Sequence, residues 1–476
     1  MLSYMSHTSD IMIAAAIFVV LLVIVWSAIM FPARRLAILT VGLLVLAAGI
    51  GTLFYQQSMK SDRMPASAYR PDAEIKLKSV EKSPRAQRQR NENLLDGLAT
   101  RQVETGPASG QTETAAADPE SAAEGASAPQ EEQQWQIVPV FYGTDRKRED
   151  GGERIAYGTE RGKRLEVGRA LVTVPKNHQV PNIERPWVYK IPLLNIVIME
   201  EEEDPAKHFT MKELKHLTPE EFASLAREQI GKSKSFKDQA LVFVDGFYTT
   251  FDYAVYRAAQ ISYDLDFDGG SFVYSWPSRG ELGPIAYSAD REAAEQASRY
   301  LEEFLTLIAK KSGAQSMTIV AHSMGNKLLL PVLQKFKLRK DTDIKISQVI
   351  LAAPDVDRDT FAGLAREIEG LSKGGITLYA ASNDLALNAS RQFWGGVARA
   401  GDVPEDGPII VSGVDTIDVT GTNTDIFSIN HAGYAQSQVL LKDIRSLMSE
   451  GYRPPHLRNG KLRQRSVAAG NYWQYR

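Results

Sequence analysis

From residue 240 to 450 the chain alternates short runs of β-formers with amphipathic helical segments. Strands are expected over 240–244, 271–275, 317–321, 348–353, 376–381 and 416–419. Helices are expected over 250–263, 288–311, 326–335, 357–370, 386–399 and 436–450. Strands that are apolar on both faces cannot leave either face in water. Each being followed by a helix, they require a mostly parallel sheet with helices on both faces, the α/β class. In such sheets chemistry sits at the carboxyl ends of the strands.

The third of these strands ends in Ala321-His322-Ser323-Met324-Gly325, and a helical segment follows at once. Strand, abrupt turn bearing serine, then helix is the context that makes a small-x-Ser-x-Gly run a nucleophile elbow. The turn is so tight that positions two before and two after the serine must be small, which Ala321 and Gly325 satisfy.

A serine hydroxyl is a weak nucleophile until a base takes its proton, and the base needs an orienting acid. In the fold that owns the elbow the chain order is Ser, then Asp or Glu, then His. Only His431 and His456 follow Ser323, and His456 lies in the basic C-terminal stretch. His431 follows the last strand of the alternation and is the candidate base. Two aspartates compete for the acid. Asp384 follows the strand at 376–381 and is favoured; Asp355 follows the strand before it, where it or Asp357 would alternatively cap the next helix.

A tetrahedral oxyanion needs preorganised N–H donors. The backbone N–H of Met324 is one candidate, and the loop after the 240–244 strand supplies the other at Phe247. Many hydrolases carry His-Gly in that loop, whereas this chain carries Asp245-Gly246. A carboxylate facing the oxyanion opposes its charge, so Asp245 must point away, be paired or be protonated. His322 is read as packing, turned away from substrate. His178, His208 and His216 stand at no metal-ligand spacing and are read as structural or solvated. Trp276-Pro277-Ser278 is either a rigid strand end or a pocket wall.

With these residues assembled, the chain resembles the bacterial alpha/beta hydrolase family of unknown function. The matching stretches are Val140-Phe141-Tyr142-Gly143-Thr144-Asp145-Arg146, Val244-Asp245-Gly246-Phe247, Phe272-Val273-Tyr274-Ser275-Trp276-Pro277-Ser278, the elbow, Leu351-Ala352-Ala353-Pro354-Asp355-Val356-Asp357, Leu378-Tyr379-Ala380-Ala381-Ser382-Asn383-Asp384-Leu385-Ala386-Leu387, Asp415-Thr416-Ile417-Asp418 and His431. The resemblance spans roughly 136–451 and implies an alpha/beta-hydrolase fold with Ser323, Asp384 and His431 in the triad positions. It implies little about substrate. Where the family has His-Gly-Phe or His-Gly-Tyr, this chain has Asp245.

Ahead of this domain lie two apolar runs, 11–31 and 36–55, each about 30 Å long as a helix, which is the thickness of a bilayer core. Joined by Pro32-Ala33-Arg34-Arg35, they read as a transmembrane hairpin after a short tail at 1–10. The expected location is therefore a membrane, the bacterial inner membrane, with the lipid bilayer as a partner. Flanking charges do not fix the side on which the domain lies. Residues 56–134 are polar and rich in Ala, Glu, Gly, Ser, Pro and Gln, and read as a disordered linker. Ordered sequence resumes at 135, with strands expected near 165–174 and 187–199, an acidic loop at 200–204 and a helix capped by Thr218. Residues 183–231 are the segment available to cover the site in part. The domain is expected to close near 451, leaving 452–476 as a basic tail, solvated or lying on a membrane surface.

The absence of cysteine excludes thiol catalysis and disulfides, and the net charge of −3 points to no polyanionic partner. No phosphate-binding loop, dinucleotide fingerprint or nucleic-acid module is present. The reading is a membrane-anchored serine hydrolase acting on a small-molecule or lipid ester, with no cofactor or metal. The alternatives are a non-catalytic interaction module on the same fold, and an amide or peptide hydrolase using the same triad.

Overall fold

The computed structural model describes residues 133–475 apart from 153, 192–195, 282, 341–342, 421–433, 452–453 and 459–461. The two apolar runs, nearly all of the linker and His431 lie outside these residues. Among the described residues no helix is long and apolar enough to cross a membrane.

Thirteen strands and seven α-helices are described. β1 (Trp135–Glu149) and β2 (Ala156–Pro175) open the domain, β3 (Val188–Ile191) and β4 (Ile196–Glu200) form a separate antiparallel pair, and β5 (Thr210–Leu217) precedes α1 (Pro219–Gly231). Then follow β6 (Gln239–Val244), α2 (Phe251–Asp264), β7 (Gly270–Ser275), α3 (Pro284–Lys311), β8 (Ser316–His322), α4 (Gly325–Arg339), β9 (Ile346–Ala352) and α5 (Arg358–Glu367). The remainder is β10 (Ile376–Ala380), α6 (Leu385–Phe393), β11 (Val414–Asp418), α7 (Tyr434–Glu450), β12 (Leu462–Val467) and β13 (Gly470–Tyr475).

Eleven of the strands form one sheet in the order β12-β13-β11-β10-β9-β8-β6-β7-β1-β2-β5. From β13 to β1 every neighbouring pair is parallel, and antiparallel strands occur only at the two edges. Period-two side-chain alternation builds two cores. In β6, Ala240, Val242 and Val244 join Phe304 of α3, Leu329 of α4 and Phe361 of α5, while Leu241 and Phe243 join Phe251 and Val255 of α2 and Ile444 of α7. This is the expected alpha/beta-hydrolase architecture. After β7 the chain crosses to the far side of β6 to place β8, so the carboxyl ends of β6 and β8 flank the crevice at the switch in strand order.

Three expectations change. The single strand expected over 187–199 is two short strands, β3 and β4, outside the main sheet. β5 was not anticipated; it pairs with β2 at the sheet edge, and α1 packs Phe222 and Ile230 into the first core. Much of 183–231 therefore builds the domain's flank instead of covering the site. The basic tail is the third. β13 pairs with β11, and Arg458 is buried with Nη2 on Asp415 Oδ2 at 2.9 Å and Nη1 on Asp443 Oδ2 at 3.3 Å. Two carboxylates inside the fold neutralise that arginine, which is why the stretch docks instead of staying in solvent. His456, the second downstream histidine, stacks against Trp473 with ring centroids 5.7 Å apart.

His178 is structural, as read. Its ring is buried, with Nδ1 2.8 Å from Glu184 Oε2 and Nε2 3.1 Å from Asp264 Oδ1 at the end of α2. Burial alone would lower its pKa, but the hydrogen bonds to Asp264 and Glu184 lift it to about 9. A raised folded-state value stabilises fully below the unfolded pKa of about 6.5 and is lost as pH rises through about 9. Denaturant melts of the domain should therefore lose stability between about pH 6.5 and 9, on the order of 2–3 kcal/mol. His178→Gln is expected to flatten that slope; an unchanged slope would assign it to other groups.

Candidate active site

Ser323 sits between β8 and α4 with φ 49°, the left-handed backbone of a nucleophile elbow. Its N–H donates to Ala352 O at 2.9 Å. Its carbonyl accepts from Asp355 N at 3.1 Å and from Asn326 Nδ2 at 3.0 Å. Asn326 Nδ2 also reaches Ala321 O at 3.2 Å, so one amide bridges both sides of the turn. The small residues are required sterically. A Cβ at Gly325 would lie 2.4 Å from Asp245 O, and one at Gly246 would lie 3.1 Å from the Ser323 Cβ. The loop after β6 is thereby pressed against the elbow.

The two candidate oxyanion donors belong to these two apposed segments. Met324 is the residue from which α4 starts, so its N–H is among the leading donors that have no intrahelical acceptor. Phe247 follows Gly246 in the adjoining loop, and its ring meets Tyr287 edge-on at 5.4 Å. His322 is half-buried with Nδ1 close to Gly246, and burial first and then the Arg257 charge push its pKa down to about 3.

Asp245 is 1 % exposed, and its Oδ2 accepts from Ser275 Oγ at 3.2 Å. Behind it Arg146, also buried, donates from Nε to the same Ser275 Oγ at 3.1 Å. Its remaining donors reach Gly158 O at 3.0 Å, Ser278 O at 2.9 Å and Thr249 O at 2.7 Å. Trp276 is fully buried, and its Nε1 donates to Asp245 O at 2.9 Å. The carboxyl is therefore engaged on the β7 side of its loop, and burial pushes its pKa well above the ordinary range against the opposing pull of Arg146. A carboxyl held on the β7 side of its loop, with burial favouring its uncharged form, opposes an oxyanion less than a free carboxylate would. Trp276 is a rigid strand end and not a pocket wall.

The two candidate acids have different surroundings. Asp355 is 4 % exposed, with Oδ1 accepting from Ser390 Oγ at 2.7 Å and Arg399 Nε at 3.0 Å, and Oδ2 from Tyr287 Oη at 2.7 Å. Asp384 is partly exposed beyond β10 and is the N-cap of α6, its Oδ1 accepting from Ala386 N and Leu387 N at 2.9 Å each. Ser382 N donates to Thr420 Oγ1 at 3.0 Å, so the chain leading from β11 toward His431 departs beside the Asp384 loop. Asp357, not Asp355, caps α5. His431 itself lies outside the described residues.

The residues that sequence reasoning did not single out are Arg146, Tyr287, Ser390 and Arg399. Arg146 stood within a matched stretch without an assigned role; the others lie on helices or loops whose tertiary neighbours no local pattern announces. Among the described residues no group of three His, Asp or Glu side chains is placed to hold a metal.

Residues 222–449 match the family model described as "Alpha/beta hydrolase of unknown function (DUF900)", which agrees with the hydrolase fold and the elbow. Among solved structures the chain is similar to an esterase, E25, at 13 % identity and a TM-score of 0.28, covering 46 % of this chain and 72 % of that one. It is also similar to a putative cell surface hydrolase from Lactobacillus plantarum at 13 % identity and a TM-score of 0.30, covering 48 % and 97 %. None of the proteins of curated function matches the sequence. The topology and the elbow fit the alpha/beta-hydrolase fold.

Proposed function

We propose that the protein is a membrane-anchored serine hydrolase that cleaves carboxylic esters through an acyl-enzyme on Ser323. The observation that carries this reading is the left-handed Ser323 pressed against the Gly246-Phe247 loop at the start of α4. His431 takes the Ser323 proton as Oγ attacks the ester carbonyl carbon, and Asp384 orients the imidazole. Negative charge develops on the carbonyl oxygen, beside the N–H groups of Met324 and Phe247. As the carbon–oxygen bond breaks, His431 returns the proton to the leaving alkoxide. Water then attacks the acyl-enzyme with His431 as base, releasing the acid and restoring Ser323. The apolar runs at 11–31 and 36–55 hold the domain at a bilayer, which favours an ester substrate of membrane origin.

A fluorophosphonate probe tests the reading directly, since it phosphonylates only an activated serine. Wild-type protein is expected to take the label and Ser323→Ala to take none. Equal labelling of the two, or none of the wild type, would overturn the proposal.

A further inference from the structure

Above the elbow, four aromatic side chains form a continuous wall. Phe247 meets Tyr287 at 5.4 Å, Tyr287 meets Phe393 at 5.4 Å and Trp394 at 6.4 Å, and Phe393 meets Trp394 at 5.0 Å. The wall spans three elements: the loop after β6, the first turn of α3 and the end of α6. It begins at the residue that adjoins Ser323 through Gly246. Its far end is open to solvent, where Phe393 is 42 % exposed and Val397 47 % exposed.

The polar atoms of the wall are used inward. Tyr287 Oη donates to Asp355 Oδ2 at 2.7 Å, and Trp394 Nε1 donates to Tyr287 Oη at 3.3 Å. Asp355 is held from its other side by Ser390 and Arg399, and its N–H reaches the Ser323 carbonyl. What the wall leaves toward solvent is therefore ring surface, apart from the Trp394 face on which the Arg291 guanidinium lies at 4.4 Å. Such a surface attracts hydrocarbon, which leaves water there without losing any hydrogen bond, and offers little to peptide groups, which do.

We infer that this wall is the hydrocarbon subsite of the Ser323 centre, that the substrate is an ester bearing a straight apolar chain, and that Phe393 sets chain-length preference. The inference rests on the esterase reading and narrows it to a substrate class. The chain enters either as the acyl group or as the alcohol, with the same contacts in both cases. Each methylene laid on the wall raises kcat/KM by about three- to fourfold, up to the wall's length.

The experiment measures kcat/KM of the purified protein in detergent on two series. One is the p-nitrophenyl esters from acetate to dodecanoate, the other the alkyl acetates from ethyl to dodecyl. A rise with length in one series is expected, and that series identifies which side of the ester lies on the wall. Phe393→Ser, at an exposed position, is expected to cut the long-to-short ratio roughly tenfold while the thermal midpoint stays near the wild-type value. A flat profile in both series, or a ratio unmoved by Phe393→Ser, overturns the subsite while leaving the esterase reading intact. Absence of turnover in both series together with absence of fluorophosphonate labelling overturns both.

Discussion

Asp384→Asn is expected to lower kcat by about 10⁴-fold, whereas Asp355→Asn is expected to act mainly on stability. An amide at the acid position still hydrogen-bonds the imidazole but favours the wrong tautomer and does not stabilise the imidazolium. At Asp384 the helix N-cap survives such a change, because the Asn side-chain oxygen also accepts from Ala386 N and Leu387 N. The protein should therefore fold and fail at chemistry. Asp355 is placed differently. Its carboxylate takes Arg399, Ser390 and Tyr287 in a site that is nearly dry, so an amide there puts an N–H₂ against a donor and removes the arginine's counter-charge. A loss of about 3 kcal/mol is expected, with kcat changed much less than in Asp384→Asn. Steady-state kinetics and denaturant melts on both variants decide the assignment. A 10⁴-fold loss confined to Asp355→Asn would move the acid to the end of β9.

The second large effect is expected at Arg146. Its guanidinium satisfies Ser275 Oγ and the carbonyls of Gly158, Ser278 and Thr249, and it lies among Asp145, Asp245 and Asp290. Methionine fills much of the volume but leaves four acceptors without this donor and buried acids without a counter-charge. Arg146→Met should cost about 3–5 kcal/mol, and Arg146→Lys should recover only part of it, because one ammonium cannot match a fork of donors. Asp245→Asn is expected to be mild, since burial already favours the neutral form of that carboxyl. Asp245→His restores a pattern common in hydrolases, yet here it puts a larger ring into a fully packed position and removes the acceptor of Ser275 Oγ, so it should lower stability without raising turnover. Thermal melts of the four variants check the order; a gain in turnover for Asp245→His would show an oxyanion site impaired by the native residue.

The sheet and its helices were legible because the buried parallel strands are mostly apolar and alternate with amphipathic helices. Thr218 with Glu221 and Pro219 marks α1 in the sequence, and the structure shows the corresponding reciprocal capping box. The elbow was legible because steric crowding leaves few residue choices around Ser323. The edges were not. β5 carries Lys212, Glu213 and Lys215 on a half-exposed strand, which reads locally as surface. The tail from 452 reads as basic coil until Arg458 meets Asp415 and Asp443, contacts that no local window contains. The role of Asp245 was open for the same reason. Its charge is visible in the sequence, whereas Arg146, nearly a hundred residues earlier, comes near it only when β1 and β6 are laid on the two sides of β7.

Tyr248, Ser323 and Ala353 have φ of 67°, 49° and 44°, and they follow β6, β8 and β9. Left-handed backbone with a Cβ costs roughly 1–2 kcal/mol at each position, a penalty that glycine escapes. Three of the six non-glycine residues with left-handed backbone among the described residues thus stand at one crevice, while the packing that offsets their cost lies in the two cores below. A glycine in place of Ser323 relaxes the elbow and deletes its hydroxyl in the same step. Selection for thermal endurance and selection for chemistry therefore pull this position in opposite directions.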